Sequence, residues 1–259
     1  MKFILTDETI VLPENITLYR IKAVKDFGPI KAGMKGGYVQ HAENLSQTGL
    51  CWIESGAIVY GFARISDNAL VKGKAIVRGY ARVYGNAIAQ DHALLKDCVH
   101  VFDNAIVGAK SYLAGGATVS GNARIFCRPV KGEPKHPNIR DYGTVTENAQ
   151  LLMRGVVRDN AVLRGSAILR GRARLTGNSV VSDNVLLKGS VRIMDDAKIF
   201  GKTWLFGWTA VYGKSLIYGY CKIGGRSIIT CNAVVSGNEE LIDFRISGDQ
   251  IFNGGKVRL

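Results

Sequence analysis

The sequence is poor in proline, in aromatic residues and in long apolar runs. Its 259 residues include 5 Pro and are 8% aromatic, although 47% are hydrophobic. This apolar content is enough to form a core, which must be built mostly from aliphatic side chains, so disorder is not expected. No apolar run approaches the roughly 18 residues that a membrane-spanning helix needs, and we therefore expect no membrane insertion.

Cysteine usage gives no sign of a disulfide framework or of a CxxC motif. The five cysteines are an odd number and are widely spaced: Cys51, Cys98, Cys127, Cys221 and Cys231. Reduced thiols in a cytoplasmic protein are therefore favoured. The opening Met1–Leu5 is followed at once by Thr6-Asp7-Glu8, and this apolar run is too short and too charged for a signal peptide. We expect a cytoplasmic location.

A six-residue repeat dominates the chain. Its unit reads small, any, aliphatic, any, Gly or Asp, any, as in Ala57-Ile58-Val59-Tyr60-Gly61-Phe62. One array of 13 units begins at Cys51, and a second of 16 units begins at Gly143. The third position is Val, Ile or Leu in every unit except the one that contains Ala89. A period of six is not helical, whereas residues two apart share one face of a short strand.

Each unit therefore predicts a short strand followed by a bend. Gly or Asp at the fifth position, often followed by Asn, supplies residues that tolerate a positive φ. Three bends close a triangular coil made of three units, and stacked coils pair edge to edge as parallel sheets around an aliphatic column. The repeats thus predict an all-β solenoid of about ten triangular coils.

The repeat is absent from two flanks and one break. Residues 1–50 and 239–259 lack the hexad, and we expect them to cap the two ends, because an exposed strand edge invites self-association. The arrays span 51–127 and 143–238. Between them, 128–142 holds three of the five prolines and predicts a loop extruded at a corner of the solenoid. We expect one structural domain overall.

The hexads resemble those of hexapeptide-repeat proteins, and the flanks resemble the YdcK-type members found in enterobacteria and their phages. The phrases that carry the closer resemblance are Ala23-Val24-Lys25-Asp26-Phe27, Lys31-Ala32-Gly33, Gly36-Gly37-Tyr38-Val39, Asn44-Leu45-Ser46-Gln47, Cys51-Trp52-Ile53 and Ile251-Phe252-Asn253-Gly254. The resemblance implies a left-handed parallel β-helix, nominally grouped with acyltransferases. The handedness comes from the resemblance, since the period alone does not show it.

Residues three units apart are expected to lie above one another on one face of the solenoid. The outward second positions give two apolar faces and one polar face. The first apolar face carries Ile58, Ile76, Leu94 and Tyr112, and the second carries Trp52, Leu70, Ile88, Ile106 and Arg124. The polar face carries Arg64, Arg82, His100 and Thr118. Apolar stripes of this kind usually mark contact surfaces, which indicates a homo-oligomer. The resemblance favours a trimer. Alternatively, β-propensity alone places Ile and Leu there, or the N-terminal segment folds over them.

Positive charge is concentrated in the second array. Residues 143–238 carry 13 Lys and Arg against 5 Asp and Glu, within a net charge of +13. Because three hexads make one coil, Arg154 is expected to stack on Arg172, and Arg174 on Arg192. The candidate contacts for an anion or an acidic partner are Arg64, Arg82, Arg154, Arg172, Arg174 and Arg192. The alternative is solvated charge that keeps a β-rich surface from pairing.

His136 and His100 are the two candidate catalytic residues. The resemblance implies a histidine general base near a subunit boundary. His136 lies in the predicted loop among Lys131, Lys135 and Arg140, and His100 lies on the polar face above Arg82. The histidines do not form a three-ligand zinc set, and we expect no metal.

Two classes of function are indicated. The first is a non-catalytic β-solenoid scaffold or binding protein of YdcK type, phage-associated or bacterial, which self-associates and presents apolar and basic faces to a partner. The second is an acyltransferase that takes an acyl group from coenzyme A to an unknown acceptor, with His136 or His100 as base. Binding of nucleic acid or another polyanion is a further alternative.

Overall fold

The computed structural model describes residues 1–127 and 136–253, together with the backbone of the strand 257–258. The chain divides into two compact units, Met1–Asn122 and Ala123–Leu259. Residues 128–135, including Lys131 and Lys135 of the predicted loop, lie outside the described residues.

The first unit is built from short strands and one short 3₁₀ helix. In chain order these are β1 (Phe3–Val11), β2 (Thr17–Ala23), β3 (Lys35–Val39), the 3₁₀ helix (Ala42–Asn44), β4 (Trp52–Ile53), β5 (Ile58–Val59), β6 (Arg64–Ile65), β7 (Leu70–Val71), β8 (Ile76–Val77), β9 (Arg82–Val83), β10 (Ile88–Ala89), β11 (Leu94–Leu95), β12 (His100–Val101), β13 (Ile106–Val107), β14 (Tyr112–Leu113) and β15 (Thr118–Val119).

The second unit continues with strands alone among its described residues. They are β16 (Arg124–Phe126), β17 (Asn138–Ile139), β18 (Thr144–Val145), β19 (Gln150–Leu152), β20 (Val156–Val157), β21 (Val162–Leu163), β22 (Ile168–Gly171), β23 (Arg174–Leu175), β24 (Val180–Val181), β25 (Leu186–Gly189), β26 (Arg192–Ile193), β27 (Lys198–Ile199), β28 (Trp204–Gly207), β29 (Ala210–Val211), β30 (Leu216–Ile217), β31 (Lys222–Gly224), β32 (Ile228–Ile229), β33 (Val234–Ser236), β34 (Glu240–Ile242), β35 (Arg245–Ile246), β36 (Ile251–Asn253) and β37 (Val257–Arg258).

Strands three apart in the chain pair in parallel, and this makes each unit a β-solenoid. Ile58 pairs with Ile76 in the first unit and Val162 with Val180 in the second, each a step of three hexads. Within the described chain, β4–β15 form four three-strand turns and β16–β36 form seven. The prediction of an all-β parallel solenoid is confirmed. No helix among the described residues is long and apolar enough to cross a membrane.

The third position of the hexad forms the core, as predicted. Val71, Val77 and Val83 are 0% exposed. The small first position is also buried, because it sits where the chain turns and leaves little room inside. Burying one aliphatic side chain of this size contributes about 1.5–3 kcal/mol, and the column repeats that contribution at every strand.

Where Ser or Thr replaces Ala at the first position, most of the hydroxyls find a partner inside the turn, although the buried Ser179 hydroxyl has none among the described residues. Thr203 Oγ1 donates to the carbonyl of Phe200 at 2.9 Å, and Thr209 Oγ1 donates to that of Phe206 at 2.8 Å. A buried hydroxyl without such a partner would be costly. The interior of the second unit therefore tolerates polar residues at this position.

The bends use Gly and Asp for related reasons. Asp103 has φ of 58° and Gly121 has φ of 64°, both in the left-handed region. The Asp103 carboxylate accepts a hydrogen bond of 2.9 Å from the Gly121 N–H one turn further on. The same Asp-to-Gly bond joins Asp67 to Gly85. Aspartate thus tolerates the bend and also fastens it to the next turn.

The N-terminal segment lies against the first turn. β1, β2 and β3 pair antiparallel, and β3 then joins β5 in parallel through Tyr38 and Ile58. Lys2 is buried, and its Nζ donates to the carbonyls of Thr48 (3.2 Å) and Cys51 (2.9 Å). Burial raises the pKa of the Cys51 thiol, and the Lys2 ammonium opposes that rise.

The chain after Ser236 adds one more turn to the solenoid. Lys222 pairs with Glu240 across three full hexads, but Ile228 pairs with Arg245 across a step that is shorter by one residue. One residue is therefore missing from this turn relative to the hexad. Its last strand, β36, is covered in turn by the antiparallel β37.

The second run of hexads begins one unit earlier than Gly143. Ile139 is buried in β17, and the bend residue Asp141 has φ of 57°. The segment Pro137–Tyr142 is a regular unit in which the proline occupies the small first position. The C-terminal part of the predicted loop 128–142 thus belongs to the solenoid.

Candidate functional site

A cleft of about 460 Å³ lies at the corner that precedes β17 in the second unit. It gathers one histidine and three arginines that the sequence singled out. The lining residues are His136, Asn138, Arg154, Val156, Arg172 and Arg174.

The solenoid spacing explains why these side chains meet. Asn138, Val156 and Arg174 occupy the same strand position in three successive turns, paired Asn138 to Val156 and Val156 to Arg174. Arg154 and Arg172 occupy the corner before two of those strands, one turn apart. Their backbone N–H groups donate to the carbonyls of the next turn, which fixes the stacking of the two arginines predicted from the sequence.

The cleft has a strongly positive lining beside an imidazole. Arg172 and Arg174 are exposed, whereas Arg154 and His136 are half-buried. Guanidinium groups present planar forks of donors that match phosphate and carboxylate oxygens. Imidazole is the side chain that exchanges a proton most readily near neutral pH. Together they can hold an anionic group next to a proton acceptor.

A smaller cleft of about 270 Å³ continues from the first and shares Asn138, Val156 and Arg174 with it. It adds Arg140, Asp141 and Arg158. Arg140 Nε donates to Asn138 Oδ1 at 3.0 Å, and Arg158 lies 3.8 Å from the carboxylate of the next residue in the chain. The shared residues join the two clefts into one groove that is lined by arginines along its course.

The remaining predicted arginine of this unit extends the column. Arg192 in β26 pairs directly with Arg174 in β23, so the predicted stack of these two is confirmed. Arg192 lies one turn beyond the residues that line the cleft. The exposed Arg164 and Arg170 fall on the other two faces.

His100, Arg64 and Arg82 belong to the first unit. They form the predicted column, with Arg64 paired to Arg82 and Arg82 to His100. Arg64 and Arg82 line a groove of about 650 Å³ beside the 3₁₀ helix, together with Tyr84. The His100 ring lies edge-on to Tyr84, with 6.3 Å between centroids. Burial and the Asp103 charge raise the pKa of Tyr84.

The other two described histidines have structural positions. The backbone N–H of His41 donates to Asn44 Oδ1 at 2.8 Å, at the start of the 3₁₀ helix. His92 is exposed at a bend. Among residues 1–127 and 136–253, no group of three or more His, Cys, Asp or Glu is arranged to hold a metal ion.

Two lining residues of the His136 cleft escape detection from the sequence. Asn138 falls in the predicted loop 128–142, although Ile139 and Asp141 carry the hexad signal that identifies its unit. Val156 looks like any other outward position of the second array, and only its place beside the arginines gives it a role.

The groove of the first unit is equally hard to find from the sequence. Glu43, Ser66 and Tyr84 line it and carry no motif. The wall that creates the groove comes from the non-repetitive N-terminal segment, so the period of the hexads does not reveal it.

Comparison with known proteins gives a short sequence match and several structural ones. No family model matches the chain. A stretch of 61 residues is 39% identical to a curated Escherichia coli protein named uncharacterized acetyltransferase YdcK. That stretch covers 23% of this chain and 19% of the E. coli protein.

Solved structures that match include UDP-N-acetylglucosamine acyltransferases from several organisms. The Bacteroides fragilis enzyme is 18% identical with a TM-score of 0.31, covering 60% of this chain and 64% of that one. The Moraxella catarrhalis enzyme is 16% identical with a TM-score of 0.31, covering 75% and 72%. The Arabidopsis enzyme is 16% identical with a TM-score of 0.30, covering 74% and 70%.

Proposed function

We propose that this protein is a hexapeptide-repeat acyltransferase that uses an acyl-coenzyme A donor and acts at the His136 cleft. The observation that carries the proposal is the convergence of His136 with Arg154, Arg172 and Arg174 around one cavity. The 39% identical stretch shared with a protein named an acetyltransferase supports the same class.

In this proposal the arginines bind the donor. Coenzyme A carries a diphosphate and a further phosphate, all ionised at neutral pH, and such groups are well matched by guanidinium forks. Arg172 and Arg174 are exposed and reach the donor first, while the half-buried Arg154 lies deeper. The adjoining cleft with Arg140 and Arg158 gives the rest of the donor a charged path.

His136 acts as the general base. Its imidazole takes the proton from an acceptor hydroxyl or amine while that oxygen or nitrogen bonds to the thioester carbonyl carbon. The carbon–sulfur bond then breaks, and the departing thiolate takes the proton from the imidazolium. The products are the acylated acceptor and free coenzyme A. General base catalysis of this kind contributes about 10²–10⁴-fold to the rate.

The same proposal includes self-association, as a trimer, and a cytoplasmic location. Two outward columns of the first unit are apolar and half-buried in the single chain. They consist of Ile58, Ile76 and Leu94 in one case and of Leu70, Ile88 and Ile106 in the other.

Trp52 precedes Leu70 in the second column and is covered by the N-terminal segment. Phe27 of the N-terminal segment packs edge-on against Trp52, with 5.5 Å between ring centroids. The residues above Trp52 in that column are left for another copy of the chain.

Acyl transfer is tested with acetyl-coenzyme A and a panel of amine and sugar acceptors, with free thiol as the readout. We expect His136→Gln to lower kcat by roughly 10²–10⁴-fold with little change in the donor KM. His92→Gln is the matched control, since His92 is exposed at a bend and does not line the cleft. Full activity of His136→Gln would remove His136 from the mechanism.

The apolar columns also favour a second candidate function, a non-catalytic scaffold. That candidate predicts a stable oligomer which binds no acetyl-coenzyme A at millimolar concentration. Binding of nucleic acid or another polyanion by the arginines predicts salt-sensitive retention of DNA or RNA, with affinity falling steeply as salt rises.

A further inference from the structure

A groove of the first unit lies beside the 3₁₀ helix and shares no residue with the His136 cleft. Its volume is about 650 Å³. One wall comes from the N-terminal segment and the other from strands β6 and β9. The polar and aromatic part of its lining includes Glu43, Ser46, Arg64, Ser66, Arg82 and Tyr84.

Arg64 and Arg82 place two like charges directly side by side. They are paired residues of neighbouring parallel strands, and both are exposed. Among the described residues, neither guanidinium has a hydrogen bond or an ion pair, and Glu43 across the groove forms no ion pair with them. Like charges facing each other on adjacent strands are destabilising. A doubly charged oxyanion between them would remove that repulsion, and paired guanidinium forks suit phosphate.

Tyr84 provides a flat wall next to the two arginines. One face of its ring stacks on Phe102 at 4.9 Å, with the planes 4° apart. The residue one turn earlier in the same column is the small Ser66, and no described aromatic ring stacks on that other face of Tyr84. An open surface about the size of one ring therefore lies beside the arginine pair, above Ser66.

Some of the other polar side chains that line the groove form hydrogen bonds within the protein, and others do not. Gln47 Oε1 accepts a hydrogen bond of 2.6 Å from the Lys2 backbone N–H, and Gln47 Nε2 donates to the Phe3 carbonyl. The Gln47 side chain therefore holds the N-terminal segment in place and is not available to a ligand. The Ser46 hydroxyl pairs with that of a neighbouring threonine. Within the described chain, the Ser66 hydroxyl and the Glu43 carboxylate have no such partner, and both suit the hydroxyl groups of a ligand.

We propose that this groove is a second binding site, which takes a phosphorylated sugar. The phosphate lies between Arg64 and Arg82, the sugar ring packs on the open face of Tyr84 above Ser66, and Glu43 accepts from a sugar hydroxyl. The site is independent of His136 and of acyl transfer.

The proposal is tested by calorimetric titration of the full chain with inorganic phosphate, glucose 6-phosphate and glucose. The titrations use a background with Arg172→Gln and Arg174→Gln, which removes the two exposed arginines of the His136 cleft and so weakens phosphate binding there. We expect glucose 6-phosphate to bind more tightly than phosphate, and glucose not to bind. Adding Arg82→Gln should weaken glucose 6-phosphate binding by roughly tenfold or more, as for loss of a charge-assisted contact.

The matched control is Arg124→Gln, which removes another exposed arginine at the same hexad position on a different face and should leave binding unchanged.

Without ligand, Arg82→Gln should keep or raise Tm, because it removes the charge repulsion, whereas a structural role for Arg82 predicts a lower Tm. Absence of glucose 6-phosphate binding, an affinity equal to that of phosphate, or the same loss in Arg124→Gln would each overturn the proposal. His136→Gln distinguishes the two sites, since it should not alter this binding.

Discussion

Leu94 and Leu95 are consecutive leucines with opposite environments. Leu95 occupies the third hexad position and is 0% exposed, whereas Leu94 points outward and is half-buried in the single chain. Both residues lie in the two-residue strand β11, and their different burial arises because successive side chains of a strand point to opposite faces. The hexad therefore assigns each side chain its environment one residue at a time.

We expect Leu95→Ala to lower the free energy of unfolding by about 2–5 kcal/mol, since it empties part of a closely packed column. Leu94→Ala removes the same atoms from a half-exposed position and should cost clearly less. Urea unfolding followed by circular dichroism measures both. Equal losses in the two variants would contradict the inward assignment of the third position.

At the scale of single residues, the stacking of the arginines of the candidate site was predicted, and the place of His136 in their column was missed. Arg154 and Arg172, like Arg174 and Arg192, are three hexads apart, and the period alone stacks them. His136 lies three hexads before Arg154, so the same period places it in their column. This was missed because Pro137–Tyr142, the unit that carries the register back to His136, falls within the predicted loop 128–142.

The bend is the element that joins one turn to the next. Asp103 combines a positive φ with a carboxylate that accepts from the Gly121 N–H. Alanine at this position loses the acceptor and also suffers the left-handed backbone strain. Glycine loses only the acceptor, because it adopts positive φ without that strain.

A graded series at Asp103 is expected from these two contributions. Asp103→Ala should lower the free energy of unfolding by roughly 1–3 kcal/mol and Asp103→Gly by about 1 kcal/mol, with Asp103→Asn the mildest. Thermal and urea unfolding of the three variants provide the measurement. If alanine proved no worse than glycine, backbone strain would play no part at the bend.

At the scale of elements, the hexad predicts strands and bends wherever its register is kept. It fails at two places for identifiable reasons. In Pro137–Tyr142 a proline stands at the small position, where its missing N–H is tolerated at the start of a strand. In the last turn one residue is deleted, and the shortened step between Ile228 and Arg245 hides a strand that the fold still forms.

The outward apolar columns concern the whole molecule. Apolar strips of this length are unusual on the surface of a monomer and typical of contacts between subunits. Ile76 lies in the middle of one column, between Ile58 and Leu94. The sequence predicted the columns correctly, but it could not show that Phe27 of the N-terminal segment packs against Trp52.

Sedimentation equilibrium should give a mass of three times the 28.1 kDa chain. Ile76→Lys should reduce that mass to one chain, because a buried unpaired ammonium at the contact is costly. Thr118→Lys, on the polar face, serves as the control and should leave the mass unchanged. A monomeric protein without any substitution would contradict self-association through these columns.

The measurement that tests the functional account most directly is the calorimetric titration of acetyl-coenzyme A. We predict saturable binding with one site per chain. The double substitution Arg172→Gln, Arg174→Gln should weaken it roughly 100-fold, as for loss of two charge-assisted contacts. The double substitution Arg164→Gln, Arg170→Gln removes the same charge from other faces and should have little effect. No binding at millimolar donor, or an equal loss in both double variants, would contradict the assignment of the His136 cleft as the donor site.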